Sequence, residues 1–497
     1  MSSLPRDDSW VCDLSACAIA TLVREGKVTP VEVVRQTYRR IHLVNPVLNA
    51  FVVLCEERAL AEAQRQTELL EGGAAAGPLW GVPIGVKDLE EVEGLPTSYG
   101  SLLYKEKQQP ARASSVQVSR LVAAGAIVVG KTNTPLFGSK ATSHNRAFGA
   151  TLNPFRTDMT PGGSSGGSAA AVSARLVPMA TGSDGGGSIR IPAALSGCFG
   201  IKPTVGLVPI NDMSYFEAET FSNVVHYGPL TRSVDDAALF LDVVCGHHPS
   251  DPHSIPRPAF SFASALAAGL PGERPLRVAF SRDLGYVDNV WPEVEEAVRA
   301  GLGVLQGSGA FAVTELTTTF TDICLAWVTL LGAEQKALLS PHPDFKGNLH
   351  LLEKSFVAAW DALEIISLPE IADVYRQRFR LSRELEALFS EYDLLITPTL
   401  PVSGFPPTGP MPMDGFSNPL HPAAGFTIPF NFSGHPAASV RCGITATGLP
   451  VGMQIVAARH MDHLVLQVAK FFENQTRCFD SWPSVSDIIS NKRISKL

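Results

Sequence analysis

The sequence has no excess of positive charge and no run of basic residues. Its 40 Lys and Arg stand against 48 Asp and Glu, a formal net charge of -8. That balance argues against a nucleic-acid footprint. No uncharged apolar stretch reaches the roughly 18 residues of a membrane span. The N-terminus, Met1-Ser-Ser-Leu-Pro-Arg-Asp-Asp8, lacks the apolar core of a secretory signal. Cysteines are few and scattered: Cys12, Cys17, Cys55, Cys198, Cys245, Cys324, Cys442 and Cys478, with no Cys-x-x-Cys pair. This excludes a disulfide framework or a paired-cysteine zinc site, and fits a reduced, intracellular protein with buried thiols. The chain ends Ser495-Lys496-Leu497. In a eukaryote that is a peroxisomal address; on a bacterial chain it is a chance tripeptide and the expected place is the cytoplasm.

What is present points to a large folded core. The 497 residues are 45% hydrophobic, with 42 Gly and 37 Pro marking many turns. No stretch is biased enough to read as disorder.

The first seventy residues read as helical. Ser15 caps a helix that Gly26 ends. Thr29-Pro30-Val31-Glu32 is a capping box with proline at the first helical position. That helix is expected to run toward Pro46, and a third to cover Glu56 to Leu70. From Trp80 onward, short apolar runs alternate with Gly-rich turns and helical segments. Val82–Val86 reads as a strand ending at Lys87. Helix is expected at Val116–Ala124 and from Ser168 to Ala174, strand at Ala126–Val129, and an amphipathic helix over 233–245. Leu394–Ile396 and Val451–Val456 read as late strands. The segment 250–390 reads as mostly helical. The alternation implies an α/β fold with a parallel or mixed sheet.

Two Gly/Ser-dense loops lie close together: Thr160-Pro-Gly-Gly-Ser-Ser-Gly-Gly-Ser168 and Gly182-Ser-Asp-Gly-Gly-Gly-Ser-Ile-Arg190. Glycine lets backbone N–H groups approach a ligand closely. Serine supplies a hydroxyl that can donate, accept or attack. Gly185, Gly186 and Gly187 directly precede Ser188, so successive N–H groups could converge on one oxygen, as an oxyanion hole requires. Tight turns alone would explain one such loop; two together point to chemistry. Lys87 follows an apolar run and precedes Asp88. At the end of a buried strand it would be partly desolvated, which lowers its pKa and lets it act as a base. Spacing alone leaves open a Lys87–Asp88 pair that faces solvent.

Three other matches compete. Gly125-Ala-Ile-Val-Val-Gly-Lys-Thr132 satisfies the P-loop pattern, but its middle is strand material and the order is helix, glycine, strand, the reverse of a phosphate cradle. Gly162-Gly-Ser-Ser-Gly166 satisfies the nucleophile-elbow pattern, yet no apolar strand precedes it. Its Ser-His-Asp reading would need a histidine such as His421 or His435. His247-His248-Pro-Ser-Asp251-Pro-His253 sits among prolines and reads as a turn, not a metal cluster.

The chain resembles the amidase signature family. The matching stretches are Gly81–Asp88, Gly130–Pro135, Pro161–Ser168, Gly182–Pro192, Gly200–Thr204, Gly228–Val234, Ile396–Pro401, Pro429–Pro436 and Gly448–Gln454, in order along nearly the whole chain. Ser164 and Ser188 lie 24 residues apart, a specific feature of the resemblance. It implies one α/β/α domain over 1–497, a large mixed sheet with helices on both sides. Residues 1–70 would form a helical segment packed on it, and 80–210 the core carrying the site. It implies Ser188 as nucleophile and acyl carrier, Ser164 after a non-proline cis peptide as proton bridge, and Lys87 as base. Gly185, Gly186 and Gly187 with Ser188 would hold the oxyanion. Gly138 matches a substrate-pocket position, and Asp184, Arg190 and Ser165 would support the site. No metal or organic cofactor is implied. Gly185 departs from the Thr, Ile or Leu usual there, which would loosen the oxyanion loop.

The expected activity is hydrolysis of the C–N bond of a small carboxamide, with an aryl or acyl amide, a carbamate or an ester as substrate classes. Partners are then a small-molecule amide, with a homodimer left open, and neither nucleic acid nor membrane span. The alternative within the family is the glutaminase subunit of a tRNA-dependent amidotransferase. That branch carries Asp-Gln-Val-Gly-Pro where this chain has Ser222-Asn-Val-Val-His-Tyr-Gly-Pro229. A Ser-His-Asp hydrolase or a non-catalytic ligand-binding relative would be further readings. Tyr215, Phe216, Phe221 and Trp327 are candidate pocket walls, or ordinary core aromatics.

Overall fold

A computed structural model describes residues 9–210, 223–340, 342–362 and 366–494. The expectations at Tyr215, Phe216, Phe221 and Ser495–Leu497 lie outside the described residues.

Eleven strands form one mixed sheet: β1 (Phe51–Leu54), β2 (Pro83–Lys87), β3 (Ile127–Thr132), β4 (Met179–Asp184), β5 (Phe199–Lys202), β6 (His226–Thr231), β7 (Leu276–Phe280), β8 (Phe311–Glu315), β9 (Leu394–Pro398), β10 (Ala437–Ile444) and β11 (Pro450–Ala457). Their spatial order is β1-β3-β2-β4-β6-β5-β10-β11-β9-β7-β8. β2 runs parallel to both β3 and β4, so Lys87 and Asp184 end neighbouring strands at the same edge. In open α/β sheets that carboxyl edge is where ligands gather.

Helices cover both faces. Alternate residues of a strand point to opposite sides. Ile127 and Val129 of β3 pack with the helix Pro30–Leu48 and the helix Gly166–Ser173. Val128 between them packs with Val118 and Leu121 of the helix Val116–Ala123, in the core that also holds Phe240 of the helix Val234–Val244. The α/β/α layering implied by the resemblance is what is found. The helix Gly166–Ser173 is buried at every residue, and its small side chains let it lie close to the sheet.

The N-terminal helices form as their caps dictate. Ser15 Oγ accepts from the Ala18 N–H, and Thr29 and Glu32 close the reciprocal capping box. Several boundaries differ from expectation. The second helix continues through Pro46 to Leu48. The strand expected at Ala126–Val129 continues to Thr132, because Phe51–Leu54 pairs with its far half. One larger correction concerns 250–390. Besides helices it holds β7 and β8, a parallel pair at the end of the sheet.

The rival motifs are explained by the fold. Gly130 and Lys131 lie inside β3, and Lys131 pairs with Asp88 at 3.1 Å, both buried. The histidine-rich turn is organised by Asp251, which accepts from the Ile210 and His253 N–H groups.

Candidate active site

Lys87 is wholly buried. Its backbone N–H donates to Thr181 Oγ1 of β4 at 3.0 Å. Its Nζ lies 2.8 Å from Ser164 Oγ, 2.8 Å from Ser183 Oγ and 3.3 Å from the Ser183 carbonyl. The solvent-facing alternative for Lys87 and Asp88 is therefore excluded: Asp88 turns to Lys131 and Ser98 instead.

Ser164 sits in the loop before the helix Gly166–Ser173, and the Gly163–Ser164 peptide is cis. Ser143 Oγ holds the Ser164 carbonyl at 3.3 Å and accepts from the Gly166 N–H. Ser165 joins the two serine loops. Its N–H donates to the Ser188 carbonyl at 3.2 Å, and its Oγ donates to the Ser183 carbonyl at 3.2 Å. Exposure is graded across the site: Lys87 0%, Ser164 2%, and Ser188 half-buried. Of the two serines, Ser188 is the more exposed.

The loop 185–189 leaves β4 and enters the helix Arg190–Ser196. Asp184 shapes it. Asp184 Oδ1 accepts from the Gly187 N–H at 2.6 Å, and Oδ2 from the Ile189 N–H at 3.1 Å. The carboxylate is gripped by Arg190 through Nε at 3.0 Å and Nη2 at 2.9 Å, and by Asn431 Nδ2 at 2.9 Å. Burial alone would raise its pKa, but the Arg190 charge and these hydrogen bonds overcome that and hold the carboxyl well below the usual range. Arg190 is fixed in turn by the Thr427 carbonyl and Gln454 Oε1, both at 2.9 Å.

One correction follows. The sequence places Gly187 among the oxyanion donors, but its N–H is already committed to Asp184. No acceptor among the described residues takes the N–H of Gly185, Gly186 or Ser188, so those three are the donors that the loop leaves. Glycine is required here by space. A Cβ at Gly186 would come within 2.6 Å of the Trp327 ring, and one at Gly187 within 2.3 Å of Thr427 Oγ1.

Gly138 lies beside Ser164. A Cβ built there would stand 3.3 Å from Ser164 Oγ and 3.0 Å from Leu89, in a left-handed backbone conformation (φ +70°). The preceding Phe137 belongs to an aromatic cluster with Tyr99, Tyr104, Phe345, Phe356 and Trp360. A cavity of about 320 Å³ beyond this cluster is lined by Tyr99, Tyr104, Lys107, Arg112 and Asp344. Its lining includes none of Lys87, Ser164 or Ser188, so it lies apart from the two serine loops.

Neither histidine of the Ser-His-Asp reading hydrogen-bonds to Ser164 or Ser188 among the described residues. His421 bridges Asp322 at 3.1 Å and Asp288 at 3.6 Å, and His435 bonds Ser433 Oγ at 2.9 Å. Asp322, Cys324 and His421 are the one trio among the described residues whose ligand-type atoms gather within 4.8 Å. Their bonds to each other and to the Cys324 N–H account for that arrangement.

Several site residues carry no assignment from sequence alone. Ser183 lies inside the second serine loop, and Asn431 and Gln454 lie inside matched stretches, so the signal for them is present without a role. Thr427 has no motif signal. Trp327, by sequence a pocket wall or a core aromatic, also lies outside every motif. It is half-buried, and its Nε1–H donates to the Gly185 carbonyl at 2.7 Å.

With this geometry in view, the comparisons with known proteins are consistent. The sequence model of the family described as Amidase matches residues 32–466. An acylamidase of Rhodococcus erythropolis is 34% identical over 485 residues, covering 96% of this chain and 98% of that protein. A glutamyl-tRNA(Gln) amidotransferase subunit of Chloroflexus aggregans is 34% identical over 488 residues, covering 93% and 96%. The crystal structure of a bacterial aryl acylamidase of the amidase signature family superposes with a TM-score of 0.85 at 31% identity, covering 94% of this chain and 98% of that one.

Proposed function

Because the chain belongs to the amidase signature family and is an amidase, a hydrolase of carbon–nitrogen bonds other than peptide bonds, we propose that Ser188, Ser164 and Lys87 carry the reaction. Ser188 Oγ attacks the amide carbon. Its proton passes to Ser164, whose own proton passes to Lys87 Nζ. The oxygen that becomes negative is met by N–H groups of Gly185, Gly186 and Ser188, at a loss of about 3 kcal/mol for each donor removed. The protonated Lys87 returns the proton through Ser164 to the departing amine. Water then releases the acyl group from Ser188 along the same relay. Asp184 and Arg190 hold the loop in shape and touch neither substrate nor proton.

The observation that carries this reading is the 2.8 Å contact between buried Lys87 Nζ and Ser164 Oγ, behind an accessible Ser188. A fluorophosphonate probe tests it. Label on Ser188, abolished in Ser188→Ala, is expected; no label, or label on Ser164 or Ser165, overturns it.

We further propose a small amide with an aryl or apolar acyl part as substrate. The support is the likeness to the two acylamidases and the half-buried indole of Trp327 on the nucleophile loop. The glutaminase reading is favoured by the likeness to the amidotransferase subunit. A screen of anilides, aliphatic amides, carbamates and glutamine separates them: anilide turnover well above glutamine turnover is expected.

A further inference from the structure

We propose that Trp327 is a positioning residue that aims the Gly186 N–H at the developing oxyanion, and so stiffens a loop that Gly185, Gly186 and Gly187 would otherwise leave slack. The proposal deepens the reading above and rests on Ser188 as nucleophile.

Two peptide groups stand in front of Ser188. In a trans peptide the C=O and the following N–H point in opposite directions. The Gly186–Gly187 peptide is clamped from both ends: Thr427 Oγ1 donates to the Gly186 carbonyl at 2.6 Å, and the Gly187 N–H donates to Asp184 at 2.6 Å. Its N–H is consumed inside the protein. The Gly185–Gly186 peptide is held from one end. Trp327 Nε1–H donates to the Gly185 carbonyl at 2.7 Å, and no acceptor among the described residues takes the Gly186 N–H. The indole donor therefore fixes the direction of an N–H that no acceptor among the described residues consumes.

The same ring lies against the loop. A Cβ at Gly186 would meet three Trp327 ring atoms at 2.6 to 3.1 Å, so glycine there is what admits the indole. Three successive glycines have wide conformational freedom. The hydrogen bond and ring contact of Trp327 restrict that freedom at Gly185 and Gly186.

The two clamps are also joined to each other. Trp327 lies one turn into the helix Cys324–Leu339, whose first N–H is capped by Asp322 Oδ1 at 3.0 Å. Asp322 Oδ2 pairs with His421 Nε2 at 3.1 Å. His421 begins the short helix that precedes Thr427, and the Thr427 N–H donates to the Ala424 carbonyl at the end of that helix at 3.0 Å. One polar chain thus ties the holder of the Gly185 carbonyl to the holder of the Gly186 carbonyl.

The test is Trp327→Phe, which keeps a ring and removes the donor. Removing an oxyanion donor outright lowers kcat by about 100- to 1,000-fold; misaiming one is expected to lower it about 10- to 100-fold, with KM within about threefold. A trifluoromethyl ketone, whose hemiketal on Ser188 carries the oxyanion, should lose affinity in parallel with kcat/KM. A ground-state competitor with the same acyl group should not. If the phenyl variant does not fold, 3-benzothienylalanine at 327 keeps the indole shape without the N–H and decides by the same numbers. A rise in KM alone, or an unchanged kcat with unchanged ketone affinity, makes Trp327 a pocket wall and overturns the proposal. Fluorophosphonate labelling of the wild type separates the two ideas. No label on Ser188 removes the nucleophile assignment and this proposal together; label on Ser188 with unaltered Trp327→Phe kinetics removes this proposal alone.

Discussion

Lys87 Nζ and Ser164 Oγ lie 2.8 Å apart inside the protein, at the carboxyl end of a central parallel strand. Ser183 holds the same amine at 2.8 Å from the other side. In the proposed relay Lys87 acts through Ser164, so the two should fail as a unit. Lys87→Ala and Ser164→Ala are each expected to lower kcat by about 100- to 10,000-fold, the range of general base catalysis. The double variant should be little worse than either single one, because removing one member already disables the relay. Steady-state kinetics of the three variants on one anilide check this; additive losses would separate Lys87 from Ser164.

The proposed relay also fixes the direction of the pH response. Lys87 can accept a proton in its neutral form only. The rate of acylation, read as kcat/KM, should therefore fall on the acid side as the amine is protonated, and the residual activity of Lys87→Ala should lack that acid limb. The same limb in Lys87→Ala would count against Lys87 as base.

The parts of this molecule that are legible in the sequence are the local ones. Thr29 and Glu32 sit three residues apart and cap each other, so their helix start needs no distant partner. The two serine loops announce themselves by composition within thirty residues. The rest depends on distant segments. β7 and β8 read as helical in the sequence because each is five residues long and half-solvated in part, with Arg277, Ala312, Thr314 and Glu315 exposed. Their strand character comes from pairing with each other and with β9, more than a hundred residues on from β7. At the site, Trp327 reaches Gly185 across 142 residues, Thr427 reaches Gly186 across 241 and Gln454 reaches Arg190 across 264. No spacing rule connects such pairs. Gly187 shows the converse. Its place in the glycine run suggests a free N–H, and only the folded position of Asp184 reveals that this N–H is taken.

Asp184 and Arg190 form a fully buried, doubly hydrogen-bonded ion pair. Breaking a buried pair by removing one partner costs about 3–5 kcal/mol, because the other charge is left unpaired. Arg190→Met should lose that much stability in urea unfolding and lose activity with it, since the loop before Ser188 hangs on Asp184. Arg190→Met with Asp184→Asn should be more stable than Arg190→Met alone. For pH, the folded carboxyl is held below its unfolded value. Its stabilisation is present above the ordinary carboxylate range and is lost as pH falls through the folded value. Asp184→Asn should flatten the acid limb of the stability curve; an unchanged limb would show that the pair does not titrate in folding.

His435 predicts a second, milder pH effect at higher pH. It is 1% exposed, and burial first, then the nearby charges of Arg459 and Lys202, push its pKa down to about 3. The unfolded histidine titrates near 6.5. Between these values the unfolded chain binds a proton that the folded protein refuses, so stability falls as pH drops. The stabilisation is complete above about pH 6.5 and declines by about 1.4 kcal/mol per pH unit below it, for this one group, until the folded value is reached. His226 is buried beside Asp184, and its pKa is likewise pushed well down by burial and Lys202, so it adds in the same direction. Replacing His435 with Asn keeps a polar group near Ser433 Oγ, its partner at 2.9 Å, and removes one of these protons. Urea unfolding midpoints measured from pH 7 to 4 should therefore fall less steeply in His435→Asn than in the wild type. Equal slopes would mean that His435 is protonated in the folded protein, which its burial between Phe389 and the charges of Arg459 and Lys202 argues against.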